Sequence, residues 1–264
     1  VVSLVPQYAL GVRDGGALTV TAFAAGVVVF LVRVTPGEMV ALPFVFAFGV
    51  SAFPFVGLLG GLGPLWVLPL LLGMFWWGRR PRAAAAAVGW AAAGKQLVWP
   101  ILPFLALWLW LDADDPQEFL AAARTHLAWG GLAFLLPNLP FLLTAPRAWL
   151  AGTVAPVTPG APLIHYGGGL GWLSITGLFP LTTTAHALLL GIALVAALAL
   201  YPRWWPRARW LALGQQPLLL LVHSRYLGYY FAYFVPVAYY AWLRLQQTEA
   251  GESSPPGPVA ATRR

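Results

Sequence analysis

Long apolar runs separated by arginines and prolines constrain this chain more than any other feature. They lie near residues 17–33, 39–57, 62–78, 120–143, 182–201, 208–222 and 226–244. A helix of about 20 apolar residues crosses a bilayer's hydrocarbon core, roughly 30 Å thick. Backbone groups at that depth must pair internally, which leaves helices or closed barrels. Barrel strands alternate polar and apolar residues, whereas Leu188 to Leu200 is apolar throughout. Charge agrees, because only 9% of residues are charged where a soluble domain carries roughly 25%. The expected fold is all-α, a polytopic transmembrane helix bundle.

The segment 83–111 decides the topology. As one helix its 29 residues would run about 43 Å, too long for a ~30 Å core, and Gly94, Lys95, Gln96 and Pro100 interrupt it. A hairpin, 83–94 and 97–111 with Lys95 at its tip, places eleven cations on one side: Arg33, Arg79, Arg80, Arg82, Arg124, Arg203, Arg207, Arg209, Arg244, Arg263 and Arg264. Four remain opposite: Arg13, Lys95, Arg147 and Arg225. Cytoplasmic loops are enriched in Lys and Arg, whereas a single crossing erases the bias. The expectation is therefore about nine crossings, a re-entrant-like hairpin at 83–111 and an outer loop at 144–170. The N-terminus of this chain then lies outside and its C-terminus in the cytoplasm. An outer N-terminus suggests a first helix missing upstream of Val1. Residues 1–244 form the expected membrane domain. The Ser/Pro/Gly/Glu-rich stretch 245–264 reads as a disordered cytoplasmic tail. Gly171 to Leu181, broken by Pro180, reads as interfacial or re-entrant.

The absence of cysteine excludes disulfides, thiol catalysis and thiolate metal sites. The net charge of +7 is scattered between apolar runs, which is loop bias rather than a nucleic-acid footprint. Nothing calls for a metal or another cofactor.

Sorted by side, Glu38, Asp112, Asp114, Asp115, Glu118, Glu249 and Glu252 are cytoplasmic and Asp14 alone is outside. The outer side also gathers Lys95, Gln96, Asn138, Arg147, Trp149, His165, Tyr166, His223, Arg225 and Tyr226. Cations neutralise phosphate, aromatic rings stack on sugars, and a carboxylate can act as general base. Each has a plainer reading. Lys95 can snorkel, although an intramembrane charge is by default a functional hypothesis. His223, Arg225 and Tyr226 can be interfacial anchors. Gly167 to Gly169 lack the strand-to-helix setting of a phosphate loop. Asp112, Asp114 and Asp115 suit a helix start, and His186 reads as a buried, satisfied histidine.

The order of features resembles a known family. A basic loop Gly78-Arg-Arg-Pro-Arg82 is followed by Ala83 to Ala93, Gly94-Lys95, Trp99-Pro100 and an apolar helix. Asn138-Leu-Pro-Phe141, Ala145-Pro-Arg-Ala-Trp149, Gly167 to Ser174 and His223-Ser-Arg-Tyr226 come after it. This pattern resembles the bacterial polyprenol-phosphate-mannose-dependent mannosyltransferases of the glycosyltransferase C superfamily. The resemblance implies transfer of a mannose-like sugar from a polyprenyl-phosphate donor to a glycan or glycolipid acceptor at the extracytoplasmic face. It implies Asp14 as base, with Lys95, Arg225 and His223 on the donor phosphate. Gln96, Asn138, Arg147, Trp149, His165, Tyr166 and Tyr226 would then hold sugar and acceptor. The competing expectations are a multi-pass transporter and a non-catalytic membrane remnant or scaffold.

Overall fold

A computed structural model describes residues 15–37, 64–154, 164–166, 169–205, 209–214, 225–227 and 229–253. The fold is helical. In chain order the helices are α1 (Gly15–Val34), α2 (Pro64–Trp76), α3 (Pro81–Gly94), α4 (Leu102–Asp112), α5 (Pro116–Thr144), α6 (Pro146–Val154), α7 (Gly169–Ile175), α8 (Thr183–Leu200), α9 (Leu211–Gly214) and α10 (Tyr229–Ser253). Short 3-10 segments cover Gln96–Ile101 and Tyr201–Trp204. Strands β1 (Ile164–Tyr166) and β2 (Arg225–Leu227) pair in parallel, with His165 opposite Tyr226.

Small residues set the closest packing. Pro81 supplies a helix start without needing an N–H partner. The alanines that follow let neighbouring backbones approach, and Ala84, Ala85, Val88, Gly89, Ala91 and Ala92 are buried. A Cβ added at Gly89 would stand 2.1 Å from the Gly130 carbonyl oxygen of α5. On its other side α3 is antiparallel to α2, because Gly73 faces Val88 while Gly94 faces Trp66. The turn between them uses Gly78 at φ 78°. Behind α2 lies the main core, where Trp66, Leu70 and Met74 meet Leu31 of α1 and Tyr233 and Phe234 of α10.

After Lys95 the chain doubles back. Trp108, late in α4, packs 5.7 Å from Trp77, just ahead of α3. α5 then runs beside α3, so its His126 meets Trp77 at 4.7 Å and its Phe134 meets Trp99 at 6.3 Å. The bundle consequently has two ends. One carries Arg33, Arg79, Arg244 and the Asp112–Arg209 pair, and the other carries Lys95.

α5 and α8 are long and apolar enough to cross a membrane. None of α5's 29 residues is buried, and in α8 only His186 is. A core helix of a water-soluble protein would be mostly buried, so the exposure of these two apolar helices is in keeping with membrane association. The expected runs 17–33, 62–78, 120–143 and 182–201 coincide with α1, α2, α5 and α8. The run 39–57 and most of 208–222 lie outside the described residues.

Three details differ from the sequence reading. The outer loop 144–170 contains α6, which Pro146 starts. The strand pair was not anticipated. α10 continues to Ser253 beyond the expected limit at 244, helped by core packing of Leu245 and a 2.8 Å hydrogen bond from Arg244 to Gln247.

Candidate functional site

Lys95 sits where α3 ends, because Gly94 and Pro100 disfavour a continuous helix there. Its backbone is extended, at φ −157° and ψ 130°. Its N–H still donates to Ala91 (3.1 Å) and its carbonyl accepts from Val98 (3.2 Å), so both chain directions are satisfied at the break. The lysine belongs to neither helix. It is half-buried, and burial pushes the ammonium below the usual lysine range.

Lys95 lines a cavity of about 260 Å³ together with Gln96, Trp99, Phe134, Asn138 and Trp149. Three separate stretches of chain build this space. Gln96 reaches α6, its side-chain amide donating to the Thr153 carbonyl. Asn138 is held twice, donating to Phe134 O (2.8 Å) and accepting from Trp149 Nε1 (2.9 Å). Trp99 Nε1 donates to Ala92 O at 2.9 Å. These bonds fix the walls, so Asn138 and Trp149 act first as positioning groups. Lys95 is the only charged side chain in the lining among the described residues, and an ammonium there favours an anion.

Directly beside this cavity lies an apolar groove of about 800 Å³ between α3, α4 and α5. Ala92, Trp99 and Phe134 wall both spaces. Along α5 the groove runs from Leu135 to Phe119, sixteen residues or about 24 Å of helix. The combined space has the shape of an amphiphile, with one charged polar compartment and one long apolar one.

The cavity thus brings together four of the expected site residues: Lys95, Gln96, Asn138 and Trp149. Arg147 is exposed on α6 and does not line it. The backbones of His165, Tyr166, Arg225 and Tyr226 come together in the β1–β2 pair. α10 separates that pair from the Arg244 end by about 22 Å of helix, so it lies towards the Lys95 end. Asp14 and His223 lie outside the described residues. Sequence reasoning missed Trp99, Phe134 and Thr153, which look like ordinary packing residues until α5 and α6 are placed. It also missed the pairing of His186 with Ser174, whose Oγ lies 3.1 Å from His186 Nε2.

At the opposite end the acidic cluster has structural partners. Asp115 caps α5, accepting from the N–H groups of Gln117 (2.7 Å) and Glu118 (2.8 Å). Glu118 accepts in turn from Asp114 N at 2.8 Å, and Asp112 lies 3.9 Å from Arg209. Among the described residues, no three His, Cys, Asp or Glu side chains converge as a metal site would require. No protein-family model, curated protein or solved structure matches this chain.

Proposed function

We propose that this chain is a multi-pass membrane glycosyltransferase that takes a mannose-like sugar from a polyprenyl-phosphate donor at the extracytoplasmic face. The observation that carries the reading is the joined pair of spaces at Lys95. A charged cavity opening into an apolar groove suits a lipid-linked phosphate better than a soluble sugar nucleotide, which needs no groove. The donor phosphate lies at Lys95, with Arg225 and His223 as further cations, and its chain lies between α3, α4 and α5.

In the transfer, the bond from sugar C1 to the phosphate oxygen breaks and an acceptor hydroxyl oxygen bonds to C1. The hydroxyl proton passes to a carboxylate, for which Asp14 is the candidate. The polyprenyl phosphate leaves as an anion stabilised by Lys95. In this reading the chain crosses nine times, with the chemistry outside and the arginine-rich end in the cytoplasm, in keeping with the positive-inside bias.

The test is turnover of radiolabelled polyprenyl-phosphate-mannose by the purified protein, compared with Lys95→Ala and Asp14→Asn. Loss of a charge that stabilises the leaving group should cost about 100-fold. Unchanged turnover in Lys95→Ala removes the lysine from the mechanism, and absence of any turnover in the parent chain sinks the transferase reading.

A transporter is the second reading, favoured by one observation. Discontinuous helices line transporter substrate sites, and the α3–α4 break at Lys95 is of that kind. Lipid-linked sugar moving across a sealed vesicle without bond cleavage would favour it.

A further inference from the structure

We propose that a cavity between α1, α2 and α10, at the far end of the bundle from Lys95, binds the headgroup of an anionic phospholipid. Its volume is about 560 Å³, and Arg33 of α1, Arg79 of the turn between α2 and α3, and Arg244 of α10 line it. Its other pole is apolar, formed by Gly26, Val29 and Leu68. Gly26 and Arg33 are seven residues apart on α1, so the two poles are separated by about 10 Å. That polarity matches a lipid lying with its phosphate at the helix ends and its acyl chains towards the bundle's middle.

Three guanidinium groups around one space repel one another, and a phosphodiester between them relieves that repulsion. A guanidinium's planar fork also suits phosphate oxygens. Two of the three are already oriented. Arg79 stacks 5.8 Å from the Phe75 ring and Arg244 4.8 Å from the Trp210 ring, and Arg244 donates to Gln247. No carboxylate lines the cavity among the described residues.

Positive-inside bias alone accounts for arginines at helix ends. It does not make them converge, and Arg82, Arg124 and Arg203 line no part of this cavity. Basic pockets between transmembrane helices are a recurrent form of anionic-lipid recognition. The inference requires this end to meet a membrane interface, and is independent of any transfer chemistry at Lys95.

The test uses the full chain in nanodiscs of phosphatidylcholine containing a small fraction of fluorescent phosphatidylglycerol, with retained lipid also counted by native mass spectrometry. Replacing all three arginines (Arg33→Gln, Arg79→Gln, Arg244→Gln) should lower the preference for phosphatidylglycerol at least about tenfold. The triple control Arg82→Gln, Arg124→Gln, Arg203→Gln removes equal charge and should change it less than about twofold. Val29→Trp fills the apolar pole at a lipid-exposed position, keeps every charge, and should reproduce the loss in a folded protein. Equal losses in both triples would reduce the effect to diffuse surface charge and overturn the proposal. So would full binding in Val29→Trp, or displacement of the lipid by millimolar inorganic phosphate, which would make the site one for free phosphate.

Discussion

Gly89 tests the close packing on which both spaces at Lys95 depend. A methyl group there would meet the Gly130 backbone at 2.1 Å (oxygen) and 2.7 Å (carbonyl carbon and Cα). Ordinary contact begins near 3.4 Å, so α3 and α5 must part by about 1.3 Å, the difference between 3.4 and 2.1 Å. Backbone atoms have no rotamer through which to escape. Overpacking of this kind costs about 1–3 kcal/mol, against a gain of up to ~1 kcal/mol from replacing a helical glycine by alanine. Two neighbours calibrate the effect. At Gly130 the nearest atom is the Ala85 oxygen at 3.2 Å, and at Gly131 nothing lies within 4 Å. Thermal or SDS unfolding midpoints of the purified protein should therefore rank Gly131→Ala at or above the parent, Gly130→Ala near it, and Gly89→Ala well below. Ligand binding at the Lys95 cavity should weaken in Gly89→Ala as well, since Ala92 and Phe134 ride on the parted helices. If Gly89→Ala unfolds at the same midpoint as Gly131→Ala, the α3–α5 contact is not made as described.

Two further substitutions separate structural polar groups from functional ones. Asp115→Ala removes an N-cap accepting two backbone N–H groups and should destabilise the protein by about 1 kcal/mol, leaving the proposed sugar transfer unchanged in a per-folded-molecule assay. Ser174→Ala strips the hydroxyl beside fully buried His186. It should cost about 1–3 kcal/mol, and a chemical unfolding titration that shows no change would mean the pair does not join α7 to α8.

Much of the helical layout was legible because apolar run length and arginine placement are local properties. The break at Lys95 was legible for the same reason: Gly94 and Pro100 mark it in one short stretch. The cavity was half legible. Charge sorting put Lys95, Gln96, Asn138 and Trp149 on one side, but could not show that Asn138 and Trp149 bond to each other, which follows only from how α6 folds back over α5. Trp99 was visible only as part of a Trp-Pro pair and not as a cavity wall, and Phe134 carried no signal, since an aromatic residue in an apolar run looks the same facing a cavity or a neighbour. The β1–β2 pair was illegible for a different reason. Three-residue strands some sixty positions apart show no alternation pattern, and the bonds of their parallel ladder depend on elements packed in between.

Chain orientation bears most directly on a bundle with two chemically distinct ends. The chain contains no cysteine, so single cysteines can be introduced at exposed Gly94 and exposed Arg80 and probed with a membrane-impermeant maleimide. The expected result is labelling of Gly94→Cys on intact cells and of Arg80→Cys only after permeabilisation. Labelling of both from one side, or of Gly94→Cys from the cytoplasm alone, would contradict the two-ended bundle and remove the outer-face site at Lys95.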